Sequence, residues 1–134
     1  MQTKGRKKTA LARLRLKPGT GRVRVNGTLL DAFTPHLAAE VVREPLLVAE
    51  QALGKEFSDG LDIDLHAYGG GIMAQAYACR TAIGKALLEY TGSDDLRKLF
   101  SEYDRSLFID DVRIKEPKKC LRLGARAKPT KSYR

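Results

Sequence analysis

From Ala10 to Lys17 the chain alternates, with Ala10, Ala12, Leu14 and Leu16 at one parity and Leu11, Arg13, Arg15 and Lys17 at the other. A period of two is that of a half-buried strand, and here the outward face is basic. "KPGTG" follows, with Pro18 and Gly19 suited to the two central positions of a type II turn. "RVRV" resumes the alternation, Val23 and Val25 inward and Arg22 and Arg24 outward, until Asn26-Gly27 supplies a strong reversal signal. Paired as a hairpin, the two strands would carry Arg13, Arg15, Lys17, Arg22 and Arg24 on one face. Solvated faces usually mix signs to avoid cross-strand repulsion, so a face of one sign favours a bound polyanion over plain solvation.

Helical periods come next. Thr34-Pro35 reads as an N-cap followed by proline at the first helical position, and Leu37, Val41 and Val42 continue on one side. Pro45 is expected to end or kink this helix, with a second short helix closed by Gly54. Leu61, Ile63 and Leu65 then alternate with Asp62, Asp64 and His66, a strand whose polar face is acidic. Two carboxylates and a histidine at alternate positions offer oxygen and nitrogen to a divalent metal, but an exposed edge strand is the commoner reason for such a face. His36, beside Pro35, reads as a surface or capping residue.

In residues 69–92, Ile72, Ala76, Cys79, Ile83, Leu87 and Tyr90 recur every three or four positions, the stripe of a helix, and Gln75, Arg80, Lys85 and Glu89 fall off it. Gly69, Gly70 and Gly71 open this helix, where backbone amides and the positive end of the dipole can reach a phosphate. Neither a Gly-Lys-Ser/Thr sequence nor dinucleotide-type glycine spacing accompanies them. Ser93 caps a further helix to about Tyr103, with Asp94 and Asp95 in its first turn. "SLFIDDVRI" reads as a last strand or extended segment.

Composition changes the picture through its distribution. With 134 residues and 43% hydrophobic content, one domain with a real core is expected. No apolar run nears the ~18 residues of a membrane span, and the amino terminus lacks a secretory apolar segment, so the expectation is a cytoplasmic protein. Cys79 and Cys120 have no CxxC spacing and suggest neither a disulfide nor a zinc site. The net charge of +9 hides a strong partition. Residues 1–24 hold nine bases and no acid; residues 112–134 hold nine bases against the single Glu116; residues 25–111 hold seven bases and fifteen acids, a net of −8. Like charge gathered at both ends opposes compaction unless a polyanion relieves it, and nucleic acid is the obvious one. After Ile114 periodicity stops: Pro117, Gly124 and Pro129 interrupt a stretch in which Leu121 and Leu123 are the only sizeable aliphatic residues. Such a segment cannot offset its own ordering entropy and would become ordered along an anion, with Tyr133 available to stack on a base. A globular unit over 1–111 and an extended basic tail over 112–134 are therefore expected.

Three blocks, "GRKKTALARLRLKPGTGRVRVNG" (5–27), "GGGIMAQAYACRTAIGKAL" (69–87) and "EPKKCLRLGARAKPTKSYR" (116–134), resemble in order and spacing the ninth protein of the small ribosomal subunit, and the "KSYR" ending is similar to its archaeal and eukaryotic branch. Val112 stands where that pattern has proline, and Cys120, Leu121 and Leu123 where it is rich in glycine and proline. The resemblance implies an α+β domain, a sheet with helices packed on one face and a left-handed βαβ crossover, followed by the tail. It also implies a non-enzymatic constituent of the small subunit, without metal or cofactor, that binds ribosomal RNA in the subunit head among neighbouring ribosomal proteins. Charge and resemblance together give the RNA-binding candidates. In the first block and just before it they are Lys4, Arg6, Lys7, Lys8, Arg13, Arg15, Arg22 and Arg24. In the second they are Gly69, Gly70, Gly71, Gln75 and Arg80, and in the tail Lys118, Lys119, Arg122, Arg126 and Lys128. The resemblance further implies that Lys131, Ser132, Tyr133 and Arg134 approach the transfer RNA in the peptidyl site. Two other readings stay open from residues alone: a non-ribosomal RNA- or DNA-binding module, and a nucleotide- or metal-dependent enzyme built on Gly69–Gly71 with Asp62, Asp64 or His66. The second lacks a coherent nucleophile, base and phosphate-binding lysine.

Overall fold

The alternation from Ala10 becomes strand β2 (Ala10–Pro18), in which Ala10, Ala12, Leu14 and Leu16 are buried and Arg13, Arg15 and Lys17 exposed. The structure, a computed structural model, describes residues 1–54 and 60–131. Around β2 lie β1 (Gln2–Lys7), β3 (Val23–Val25), β4 (Thr28–Leu29) and β5 (Leu61–Tyr68), in the spatial order β1-β2-β5-β3-β4. The helices are α1 (His36–Leu53), α2 (Ile72–Thr91) and α3 (Asp94–Tyr103).

The expected hairpin of β2 with β3 does not form. β5 lies between them, antiparallel to β2 and parallel to β3. The connection explains why: the Asp62 carboxylate accepts the backbone N–H groups of Thr20 (2.8 Å) and Arg22 (3.1 Å), so the loop straddles the start of β5 instead of turning back tightly. A Cβ on Gly19 would come within 2.1 Å of the Asp62 carboxyl carbon, so a larger residue there would have to push that carboxylate aside. β5 is accordingly a central strand, not the expected edge. Its acidic face separates two basic ones, with Asp64 opposite Arg15 on one side and Arg24 on the other, which relieves cross-strand repulsion. The Asn26-Gly27 signal is realised: Asn26 (φ 50°) and Gly27 (φ 83°) link β3 to β4. A parallel crossover through β4 and α1 joins β3 to β5.

β1 carries no apolar alternation, yet pairs with β2 along its whole length. Its inward positions substitute close approach for apolar area. The Thr3 hydroxyl donates to the Ala82 carbonyl (3.1 Å), and a Cβ on Gly5 would sit 2.2 Å from the Ala78 carbonyl oxygen. Pro45 neither ends nor kinks the chain into two helices; it is buried inside one α1. Ala38, Ala39, Val42, Leu46 and Ala49 are buried beside it, and that burial outweighs the ~3 kcal/mol an interior proline costs. Pro35, not Thr34, occupies the N-cap, and Gly54 (φ 88°) closes the helix as expected.

In α2, Ala76, Cys79, Ile83 and Leu87 are buried as the stripe requires, but Ile72 and Tyr90 at its ends are exposed. Every residue from Ala78 to Gly84 is buried, because β1 and β2 cover one side of α2 and α1 with the 105–107 turn covers the other. Burial pushes the Cys79 thiol up to about 12. "SLFIDDVRI" is not a strand: Arg105–Leu107 form a 3-10 turn that buries Leu107, and Asp111 makes a single bridge to Lys7. Ser93 caps α3, accepting from the Leu96 N–H. The result is a single α+β domain with a mixed five-stranded sheet, its helices on one face and its other face open.

Candidate nucleic-acid interface

Strand register sets the open face row by row. One row runs Lys4, Arg13, His66; the next runs Gln2, Arg15, Asp64, Arg24, Leu29; a third joins Arg6, Leu11 and Tyr68; Lys17 stands opposite Asp62. Strands lie about 4.8 Å apart, so these cations form a preset array. Among the described residues none of Lys4, Arg13, Arg15, Lys17, Arg22 and Arg24 has a carboxylate at ion-pair distance. Asp64 and Asp62 moderate the field without neutralising it. The Asp62 carboxyl lies below its usual range because the Thr20 and Arg22 amides bind its charged form. Among the described residues no group of three or more His, Cys, Asp or Glu is placed to hold a metal.

At one end of the sheet the separate blocks converge. Lys8 (φ 55°) and Thr9 form the β1–β2 tip, and a Cβ on Gly69 (φ 75°) would meet the Thr9 carbonyl oxygen at 2.6 Å. Gly71 is the N-cap of α2 and makes no side-chain cap, while Gln75 Nε2 donates to the Gly69 carbonyl (3.1 Å). The tail leaves from the same end. Lys8 N–H donates to the Asp111 carbonyl (2.7 Å), Asp111 N–H to that of Arg6 (3.1 Å), and Arg6 N–H to the Asp110 carboxylate (3.0 Å). Lys7 turns to Asp111 (3.1 Å) and lies over Tyr77, and Lys85 reaches Asp110 (2.7 Å). Arg113 holds the Asp111 carboxyl well below its usual range, with Lys7 assisting. Lys7 is thus tied to the tail root, whereas Lys8 is exposed.

Arg80 is placed unlike the other candidates. It is 5% exposed, so the expectation that it stands off the buried stripe is corrected. Its Nη2 donates to Glu44 (2.9 Å) and Asp104 (2.8 Å), its Nη1 to the Ser106 hydroxyl (2.8 Å). Its Nε lies 2.7 Å from the other Glu44 oxygen, in ion-pair contact but outside hydrogen-bond geometry. Burial opposes the charge, and Asp104 with Glu44 more than offsets it, raising the guanidinium above its ordinary range. This cation is spent on joining α1, α2 and the 105–107 turn.

Beyond Asp111 the described tail buries nothing; Leu121 and Leu123 are 74% and 79% exposed. Its internal contacts are few: Arg126 binds Glu116 through two nitrogens (2.7 and 3.0 Å), and Thr130 N–H donates to the Leu121 carbonyl (3.1 Å). Lys118, Lys119, Arg122, Lys128 and Lys131 are exposed. Ser132, Tyr133 and Arg134 lie outside the described residues. The open face also holds Tyr68, which sequence reasoning did not assign to it, beside His66, which it did place on the polar side of this strand. The parity of Tyr68 with Asp62, Asp64 and His66 was the available signal.

Comparison with known proteins identifies relatives over the full length of the chain. The sequence profile of the family described as ribosomal protein S9/S16 matches residues 5–134. Small ribosomal subunit protein uS9 of Methanothrix thermoacetophila is 44% identical over 134 residues, which is all of this chain and 98% of the relative. The uS9 protein of Thermoplasma acidophilum is likewise 44% identical over 134 residues, the full length of both.

Proposed function

Since the chain belongs to the ribosomal protein S9/S16 family, whose role in the ribosome is structural and not enzymatic, we propose that it binds ribosomal RNA of the small-subunit head through its open sheet face and tail, with the last residues reaching the peptidyl-site transfer RNA. It works in the ribosome, in the cytoplasm, beside RNA and other ribosomal proteins. The carrying observation is the array of cations Lys4, Arg13, Arg15 and Arg24, without an ion-pair partner among the described residues, on the sheet face that no described helix covers. Phosphates replace the counterions of such an array, and release of those counterions drives binding. The tip at Lys8, the Gly69–Gly71 turn and the root of the tail extend the same surface at one end. The exposed cations of residues 113–131 then continue it outward and become ordered along the RNA.

Reconstituted small subunits test both parts. The isolated chain should bind head-domain ribosomal RNA with an affinity that falls by roughly 10³–10⁵ between about 50 and 200 mM salt. Deleting residues 131–134 should leave the fold and subunit assembly intact and weaken retention of transfer RNA in the peptidyl site, measured by filter binding. Unchanged retention would remove the transfer-RNA part of the reading, and a salt-independent affinity the ribosomal-RNA part.

A further inference from the structure

Resting on the RNA-binding reading above, we propose that the open sheet face holds a nucleotide site for unpaired RNA, in which one base stacks on Tyr68 while the flanking phosphates meet Lys4, Arg13 and Arg15. Between β2, β5 and the Asn26–Gly27 turn lies an open concavity of about 610 Å³, lined among others by Arg13, Arg15, Asp64, His66 and Tyr68. That is ample for one nucleotide. Its wall is preformed, for the Asn26 amide donates to the Ala67 carbonyl (3.1 Å) and accepts the Ala67 N–H (2.8 Å).

The chemistry within it is mixed in a way that suits a base more than a phosphate ridge. Tyr68 is 43% exposed, has the Arg13 guanidinium 5.8 Å from its ring centre, and meets His66 edge-on with centres 6.1 Å apart. Two rings at alternate positions of one strand, flanked by arginine, make a stacking platform. Asp64 in the same hollow repels phosphate and accepts N–H groups, the donors a base edge carries. The bases needed for phosphate stand to one side, on β1 and β2. An A-form duplex offers no free base to Tyr68 and would set its phosphates against Asp64 as well as the arginines. A splayed single strand satisfies both halves of the hollow.

The full chain is mixed with a single-stranded oligouridylate carrying one central 2-aminopurine, and with the same base placed in a duplex. Binding should quench the single-stranded probe, and a 4-thiouridine at that position should crosslink within residues 66–68. Tyr68→Ala should weaken single-strand binding roughly tenfold, Tyr68→Phe should restore it, and neither should change the salt slope. Arg13→Gln should instead lower that slope by about 0.7. Duplex affinity should be indifferent to Tyr68→Ala. If the single-stranded probe binds but ignores Tyr68→Ala and crosslinks elsewhere, this site is wrong while the RNA-binding reading stands. If neither probe nor ribosomal RNA binds, both are wrong.

Discussion

Arg80 and Arg13 are the same residue type in one small domain, and their surroundings give them opposite work. Arg80, in the helical layer, has a carboxylate from α1, a carboxylate at the end of α3 and a hydroxyl from the following turn around it, leaving no charge to offer a partner. Arg13, on the other side of the sheet, has an aromatic ring beside it and, among the described residues, no carboxylate at ion-pair distance. The difference lies in which side of β2 a cation stands on and what crosses over it. A basic residue supports folding where the chain supplies its anion, and supports binding where something else must.

Removing the unpaired set should produce the largest effect. Replacing Lys4, Arg13, Arg15 and Arg24 together by Gln deletes four phosphate partners, so the slope of log affinity against log salt should fall by about 3, and affinity near physiological salt by roughly 10²-fold. Thermal unfolding should stay within a few degrees of the natural chain or rise slightly, since the array repels itself. A fall in stability instead of affinity would dissolve the contrast.

Arg80→Met should do the reverse. It leaves Glu44 and Asp104 facing each other with their shared partner gone. Full burial of a broken pair costs ~3–5 kcal/mol, but these carboxylates keep 28% and 39% of their surface, so about 2 kcal/mol is expected. The unfolding midpoint should drop by roughly 10 °C with the RNA salt slope unchanged. A smaller, acid-dependent effect belongs to Asp104. Burial opposes its charge, while the Ser106 amide and hydroxyl and the Arg80 guanidinium hold its carboxyl below the ordinary range. Its stabilisation is therefore complete above the unfolded value near pH 4 and is lost as pH falls through the folded one. Asp104→Asn should lower stability at neutral pH and flatten the decline of stability below about pH 4, as urea titrations across that range would register.

The same contrast explains what the sequence disclosed. Period two revealed β2 and β5, and Asn26-Gly27 revealed its turn, because these are local rules. The order of strands was not legible, since the tie between Asp62 and the Thr20–Arg22 backbone spans some forty residues of chain. β1 is not legible in the sequence because Thr3 and Gly5 fit against α2 through a hydrogen bond and a bare backbone, which leave no apolar signature. Arg80 misled for a related reason: its partners are 24, 26 and 36 positions away. The basic face was legible as charge, whereas Tyr68 ends a strand whose polar side reads from sequence as an acidic, exposed edge, so nothing in its local pattern marks it as part of a binding face.

The finest distinction is between the sheet face, where cations stand unpaired, and the tail, where Glu116 holds one of them. Glu116 is the single acid of the last 23 residues, and Arg126 binds it through two nitrogens, holding its carboxyl below the usual range. Both side chains are exposed, so the pair adds little to folding. It does occupy a guanidinium that a phosphate would otherwise take, and its charge subtracts from the attraction of the whole tail. Glu116→Gln should therefore leave the unfolding midpoint unchanged and tighten ribosomal RNA binding about two- to threefold at low salt. The gain should fade as salt rises, because the interaction it removes is screened along with the ones it frees. Binding isotherms at two ionic strengths would separate this from a structural effect: an equal gain at both would mean that Glu116 shapes the tail, and no gain at either would mean that Arg126 does not meet RNA at all.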